Sequence, residues 1–147
     1  MSATNVFENG ILSLIFENAN YANVGDATGL RGSTTAGVFY ISLHTANPNE
    51  TGSQNTTEAA YGGPYARVSV ARSTAGWTVA SGVADNDSAI TFAACTSGSE
   101  TETHLGVGSD SSGAGNLFLW GALTSSLAVS SGITPSFAAG ALDVTLD

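Results

Sequence analysis

The side chains that most often carry out enzyme chemistry are scarce in this sequence. Its 147 residues contain no lysine, three arginines, two histidines (His44 and His104) and one cysteine, Cys95. An active site needs several such groups brought together, with pKa values shifted for their roles. Serines are abundant, but no G-x-S-x-G pattern marks one of them as a nucleophile. We therefore predict a protein without catalytic activity and without catalytic residues.

Possible metal ligands are equally sparse. Zinc sites use three or four ligands, and His44, His104 and Cys95 would supply only three if the fold gathered all of them. Asp85 and Asp87 resemble the start of a calcium loop, but the glycine and the bidentate glutamate of an EF-hand are missing downstream. We predict no metal site and no other cofactor. The histidines are then polar residues on strands, and Cys95 is a half-buried, unreactive thiol.

Glu100 and Glu102 form another group of carboxylates, of the kind that glycosidases use in pairs. Because they are two residues apart on a predicted strand, they lie on the same face. The surrounding segment is rich in Ser and Thr, so we interpret that face as solvated.

The charge of the chain excludes several classes of partner. The formal net charge is −9, from twelve acidic residues against three arginines. Such a chain cannot neutralise a phosphate backbone or adhere to anionic lipid, so we expect no nucleic-acid and no membrane partner. No apolar run reaches the ~20 residues of a membrane span, and residues 1–10 lack the basic region of a secretory signal. We expect a soluble protein.

One helix is predicted near the N-terminus, within residues 1–25. Asn5 followed by Glu8 three residues later has the spacing of an N-cap with its capping-box partner. Four apolar residues at helical spacing predict one apolar stripe: Phe7, Ile11, Leu14 and Ile15. Leu12 and Phe16 widen this stripe beyond what one small sheet would cover.

The remainder of the chain has the pattern of short strands separated by turns rich in Gly and Ser. Alternation is clearest at 38–44, where Phe39, Ile41 and Leu43 predict a core-facing side. Seven more segments have strand character: 65–72, 77–80, 88–93, 101–108, 116–123, 126–130 and 141–146. Together they predict an all-β fold, an antiparallel, jelly-roll-like β-sandwich of about eight strands in a single domain spanning 1–147.

The segment 116–123 is apolar on both faces. Alternation places Leu117 and Leu119 on one face, with Phe118 and Trp120 on the other. Such a strand is either covered by the helix or exposed to a partner.

A long polar loop, 45–64, contains Pro48 and Glu50. It is longer than a compact domain usually tolerates without a purpose. We expect it to be an arm that touches a different protein.

Segments spread over residues 38–147 resemble small virion proteins of tailed bacteriophages. The residues that carry the resemblance are 40–48 (YISLHTANP), 49–52, 65–68, 103–106, 113–117, 121–123 and 137–146. Such proteins are commonly described as tail-fibre or minor tail proteins, and the pattern also resembles the jelly-roll cement proteins that decorate capsids. None of these motifs is catalytic, so the resemblance implies a fold and a structural role, with no active-site residues.

From this resemblance we expect a non-enzymatic structural protein of the virion, made in the host cytoplasm. The first hypothesis is a capsid cement or decoration protein on the outer surface of the capsid. It would bind the major capsid protein and stabilise the assembled lattice by mass action. The alternative is a protein associated with the tail or tail fibre, in contact with tail proteins and with a receptor- or carbohydrate-binding surface.

Apolar surface in excess of what one small domain can bury indicates self-association, so we expect a homo-oligomer, either a dimer or a trimer. The candidate interface residues come from the helix, the two-sided strand and the long loop: Phe7, Ile11, Leu12, Leu14, Ile15, Phe16, Phe118, Trp120, Pro48 and Glu50.

Overall fold

A computed structural model describes residues 2–25 and 28–146 of the chain. The ends of the predicted domain at Met1 and Asp147, and the positions Asp26 and Ala27, lie outside the described residues. The described residues form one α-helix followed by nine β-strands, and the paired strands are antiparallel. The predicted all-β class with one N-terminal helix is confirmed.

The elements follow one another in this order: α1 (Asn5–Phe16), β1 (Val38–His44), β2 (Val68–Ala71), β3 (Trp77–Ala80), β4 (Val83–Asn86), β5 (Ile90–Thr91), β6 (Ser99–Gly108), β7 (Leu117–Ser130), β8 (Ser136–Phe137) and β9 (Asp143–Thr145). The predicted bounds of β1 and β3 are confirmed. The short strands β4 and β8 were not predicted, and the two segments 116–123 and 126–130 form the single strand β7.

The helix begins one residue earlier than predicted. Thr4, with extended backbone, is the N-cap, and its hydroxyl accepts a hydrogen bond from the Phe7 amide at 3.4 Å. The predicted cap, Asn5, is already helical. Thr is a good N-cap residue because its side-chain oxygen satisfies an amide that has no partner within the helix.

The buried side of α1 is not the predicted stripe. Leu12 and Phe16, one turn apart, are buried, and Phe16 packs on Trp77 with ring centroids 4.6 Å apart. Phe7 and Ile15 of the predicted stripe are exposed. Apolar residues surround most of this helix, so their spacing could not identify the side that faces the sheet.

The chain divides into two compact units. The first consists of Met1–Val38, Ala71–Ile90 and Phe137–Asp147, and the second of Phe39–Val70 and Thr91–Ser136. A single domain with jelly-roll topology stays a prediction.

The first unit packs α1 against a three-stranded sheet with the order β3-β4-β9. Arg72 closes the end of the helix, because its guanidinium donates to the carbonyl oxygens of Leu14 at 2.6 Å and Ile15 at 2.5 Å. It also donates to the side-chain oxygen of Asn18 at 2.8 Å. Carbonyls of the last helical turn lack partners within the helix, and a basic side chain there also suits the helix dipole.

The second unit is built on a four-stranded sheet with the order β2-β1-β6-β7. Both faces of β1 are largely buried, whereas the alternation predicted one core face. The loop 45–64 covers the polar face: the Thr56 carbonyl contacts His44, and the Gln54 side chain donates to the carbonyl of Tyr40. A polar strand face is therefore interior here because a polar loop lies on it.

A β-bulge changes which residues of β7 share a face. Val107 of β6 lies opposite Leu119, but the next residue, Gly108, lies opposite Leu117, so Phe118 is an extra residue. Paired residues point to the same side of a sheet, so Leu117 and Leu119 point to opposite sides. The predicted shared face of these two leucines is wrong because a bulge interrupts the alternation.

A second irregularity follows in the same pair of strands. Glu102 lies opposite Leu127 and His104 opposite Ala122, which places residues 123–126 of β7 against the single Thr103. Beyond the bulge at Phe118, β7 therefore has two regularly paired parts, 119–122 and 127–130, joined by a larger irregularity.

The long loop 45–64 packs on its own sheet. Pro48 and Gln54 are buried. The Gln54 amide donates to the carbonyl of Gly115 at 2.9 Å, and its side-chain oxygen accepts from the Asp110 amide at 2.9 Å. These bonds join the loop to the segment before β7.

Candidate functional site

The structure brings together a serine and a histidine that the sequence analysis treated separately. Ser42 and His44 lie on one face of β1, with the Ser42 hydroxyl 2.9 Å from Nε2 of His44. The other ring nitrogen, Nδ1, lies 2.8 Å from the carbonyl oxygen of Thr56. A carbonyl only accepts, so Nδ1 carries the proton and Nε2 accepts from the serine hydroxyl. Burial lowers the pKa of His44, which favours this neutral ring.

This dyad has the connectivity of a serine nucleophile and its base, but it lies in the interior. Ser42 and His44 are both 0% exposed. Gly106 of β6 packs against them so closely that a Cβ there would lie 2.7 Å from both Nε2 and the hydroxyl oxygen. A substrate cannot reach the pair, so its role is structural. His44 lies with Ser42 on the polar face of β1, and the loop 45–64 buries that face.

The two histidines are neighbours in the sheet. His44 lies directly opposite His104, although 60 positions separate them in the chain. His104 is half-buried, with its ring 5.9 Å from that of Trp120. Cys95 is fully buried, not half-buried, and its thiol donates to the Ser97 carbonyl. Within residues 2–25 and 28–146, no group of three or more His, Cys, Asp or Glu side chains is placed to hold a metal ion.

Glu100 and Glu102 share a face of β6, as predicted, but that face is not solvated. Glu102 is 0% exposed. One oxygen of Glu100 accepts hydrogen bonds from the amides of Ala60 and Tyr61 at 2.7 and 2.8 Å. In the described part of the chain, no N–H or O–H donor reaches the oxygens of Glu102. Burial, together with the neighbouring Glu100, raises the pKa of Glu102 to about 8, so Glu102 is mostly protonated at neutral pH.

A buried ion pair lies nearby in the same unit. Arg67 donates from Nε and Nη2 to the two carboxylate oxygens of Glu58, at 2.6 and 2.7 Å. Its remaining donors reach the carbonyls of Asp110 at 2.8 Å and Gly113 at 2.6 Å. The bonds to Glu58 raise the pKa of Arg67. This arginine therefore joins the loop 45–64 to the segment that precedes β7.

The predicted interface residues fall into two groups. Leu12, Phe16 and Pro48 are buried within the chain, so they are not available to a partner, and their assignment to an interface is corrected. The others are exposed or half-buried, and their interface role stays a prediction: Phe7, Ile11, Leu14, Ile15, Glu50, Phe118 and Trp120. The sequence analysis missed further large apolar side chains on the surface, of which Val6 is the most exposed at 74%.

The two exposed aromatic residues of β7 do not form one platform. Phe118 contacts Phe39 with ring centroids 6.1 Å apart, on the sheet face that also carries Ile41. Trp120 lies opposite Gly106 and beside His104, on the other face. The bulge at Phe118 separates the two rings, which alternation alone would have placed together.

Among the described residues, no helix has both the length and the apolar character needed to cross a membrane.

The site residues are thus engaged within the chain: Ser42 and His44 are buried as a pair, and Arg67 and Glu58 join the loop 45–64 to the segment before β7. The class is that of small virion structural proteins of tailed phages. The sequence profile of one family of this class, described as podophage GP4 fiber I protein gp80, matches residues 2–145. Since the match covers nearly the whole chain, the chain belongs to this family, and the resemblance to tailed-phage virion proteins is confirmed. A search among curated proteins finds no match.

Proposed function

We propose that this chain is a structural component of a phage fibre or of the tail to which the fibre is attached. The observation that carries the proposal is the family match over residues 2–145, because the family description names a fiber protein. The first hypothesis from the sequence, a capsid cement protein, is less favoured for the same reason. The alternative, a protein associated with the tail or tail fibre, is therefore the one we adopt.

The proposed role is assembly rather than catalysis. The adjacent serine and histidine, Ser42 and His44, are inaccessible. Arg67 makes four hydrogen bonds within the chain, to Glu58, Asp110 and Gly113, so its guanidinium is occupied. These groups stabilise the second unit, and they support a protein that contributes a rigid body to an assembly.

The proposed partners are other virion proteins and further copies of this chain, in a dimer or trimer. Support comes from exposed apolar side chains of α1, of which Val6, Phe7 and Ile15 are 74%, 45% and 38% exposed. We do not extend the proposal to a carbohydrate-binding surface. Phe118 and Trp120 lie on opposite faces of the sheet and cannot stack on the same sugar.

Quantitative mass spectrometry of purified virions tests the proposal. A fibre or tail component is expected in a small number of copies per particle, comparable with the other tail proteins of the same virion. Immunogold labelling should then place it on the fibres or tail. A copy number close to that of the major capsid protein would contradict the proposal and support capsid cement. Absence of the chain from intact virions would contradict both.

A further inference from the structure

The outer strand of the four-stranded sheet has one side without a partner. β7 is hydrogen-bonded to β6 on one side, and in the described residues no other strand pairs with it. An edge strand keeps N–H and C=O groups available along its free side. With 14 residues, this strand would be about 48 Å long if fully extended.

Most of the features that normally protect such an edge are missing here. Protected edges are short, carry charged residues or contain proline, whereas residues 117–130 include no charged residue and no proline. The other edge strand of the same sheet, β2, has only four residues and is therefore short. The two bulges of β7 remain as protection, and they leave 119–122 and 127–130 as regularly paired segments.

Side chains on both faces of 117–122 would be covered by an added strand. Phe118 is 53% exposed on one face and Trp120 is 37% exposed on the other. A strand laid along the free edge would contact both faces at once, because the side chains of its successive residues alternate between them.

We propose that β7 pairs along its free edge with β7 of a second copy of this chain. The argument for this occupant is charge. Each copy carries a net charge of −9, so most approaches of two copies bring carboxylates together. Two β7 strands meet without any charged side chain in the contact. An antiparallel two-fold arrangement gives each copy the same set of contacts.

The available area approaches what a stable dimer needs. A specific interface needs about 800 Å² from each partner, roughly a tenth of the 7613 Å² surface of the chain. A contact strip along β7 that is about 48 Å long would cover about 800 Å² if it were about 17 Å wide. The edge of one sheet layer is about 10 Å thick, and half a strand spacing on each face adds about 5 Å. The resulting width of about 15 Å is close to the required width.

This inference rests on the proposed homo-oligomeric virion component and identifies the surface that joins the copies. Its test is sedimentation velocity over a range of protein concentrations, with hydrogen exchange followed in residues 117–130. Wild type should self-associate, and exchange in β7 should slow as concentration rises. Ala122→Lys and Ala122→Asp should each weaken association about tenfold or more, since either sign of charge would have to be buried in the interface.

Ala71→Lys is the matched control, because it makes the same change at an exposed alanine of the opposite edge strand and alters net charge equally. It should associate as wild type does. Wild type that stays monomeric, or Ala122 variants that associate normally, would overturn the inference. The inference would also be overturned if the wild-type dimer dissociates on the change Phe7→Ser in α1 while hydrogen exchange in β7 does not change.

If an Ala122 variant loses its far-UV circular dichroism, it has not folded and cannot test the pairing. The test is then hydrogen exchange in wild-type β7, which should slow as protein concentration rises if the strands pair. The outcomes for the two proposals are separate. A monomer in solution would overturn the pairing and leave the fibre or tail assignment intact, whereas capsid-scale copy number would overturn that assignment and leave the pairing intact.

Discussion

Two clusters of charged side chains hold the loop 45–64 to the rest of the second unit, and they differ in how their charge is compensated. Glu58 of the loop forms a bidentate ion pair with Arg67, at 2.6 and 2.7 Å. At the end of the loop, Glu100 of β6 accepts the amides of Ala60 and Tyr61 while lying beside a second acid, Glu102.

The difference lies in what compensates the buried charge. In the first cluster a guanidinium, which stays charged at any accessible pH, neutralises the carboxylate. In the second, a proton on Glu102 prevents two carboxylates from facing each other, and this proton leaves as the pH rises. The first contact therefore needs no bound proton on an acid, whereas loss of the proton from Glu102 places a second negative charge beside the group that holds the end of the loop.

Removing the arginine of the first cluster should have the largest effect. Among the residues that the structure describes, Arg67→Met leaves the largely buried Glu58 side chain with only the Tyr65 hydroxyl as a hydrogen-bond donor, at 3.2 Å. Breaking a buried pair in this way costs about 3 to 5 kcal/mol. We expect urea unfolding to show a loss near the lower end of this range, because the Glu58 side chain is 15% exposed.

The double variant Arg67→Met with Glu58→Leu is the control, since it removes both charges. It should recover much of the lost stability, because apolar replacement of a whole buried pair is often close to neutral. A single variant that loses less than about 1 kcal/mol would mean that the pair behaves like a surface salt bridge.

The second cluster should make stability depend on pH. The pKa of Glu102 is raised from 4.5 to about 8 in the folded chain, so between these values the unfolded chain releases a proton that the folded chain retains. Stability from this group is complete below about pH 4.5, falls as the pH rises and levels off above about pH 8. The slope is at most about 1.4 kcal/mol per pH unit, and we expect a total of about 2 to 3 kcal/mol.

Glu102→Gln tests the origin of this pH dependence. The amide has the shape of the protonated acid and can donate to Glu100 without titrating. The variant should equal wild type near pH 4.5, exceed it in stability at pH 8 and lack most of the slope between these values. Parallel pH curves for the two proteins would show that the slope comes from other carboxylates.

The sequence was sufficient to predict the elements but not what covers them. Period-two alternation predicted β1 with its observed bounds, because it depends only on the geometry of a strand. Alternation did not show that the face of His44 is covered, and the face of Glu100 and Glu102 was expected to be solvated. Their burial depends on the loop 45–64, whose path is set by Gln54 and by the Glu58 ion pair, contacts between residues far apart in the chain.

The exposed aromatic residues of β7 show the same limit of prediction from the sequence. The apolar character of residues 117–123 correctly identified β7 as unusual, but the opposite orientations of Phe118 and Trp120 come from a one-residue bulge against Val107 and Gly108. A bulge here leaves no mark in the spacing of the leucines. Composition supplies the one feature on which the pairing inference depends, the absence of charge from 117–130.

The smallest expected effect comes from an acidic pair at the surface of the first unit. Asp85 of β4 lies directly opposite Asp143 of β9, and burial together with Asp143 raises the pKa of Asp85. Like charges directly opposite each other on antiparallel strands are destabilising, and a pair interaction of this kind is worth about 0.2–1 kcal/mol. Asp143→Asn should therefore stabilise the chain by a few tenths of a kcal/mol at pH 7 and by less at pH 4, where protonation already relieves the repulsion.

Glu50→Gln, which changes the net charge equally at an exposed position, is the control and should change stability less in thermal unfolding. Equal gains from both variants would assign the effect to the overall charge of −9 instead of to the cross-strand pair.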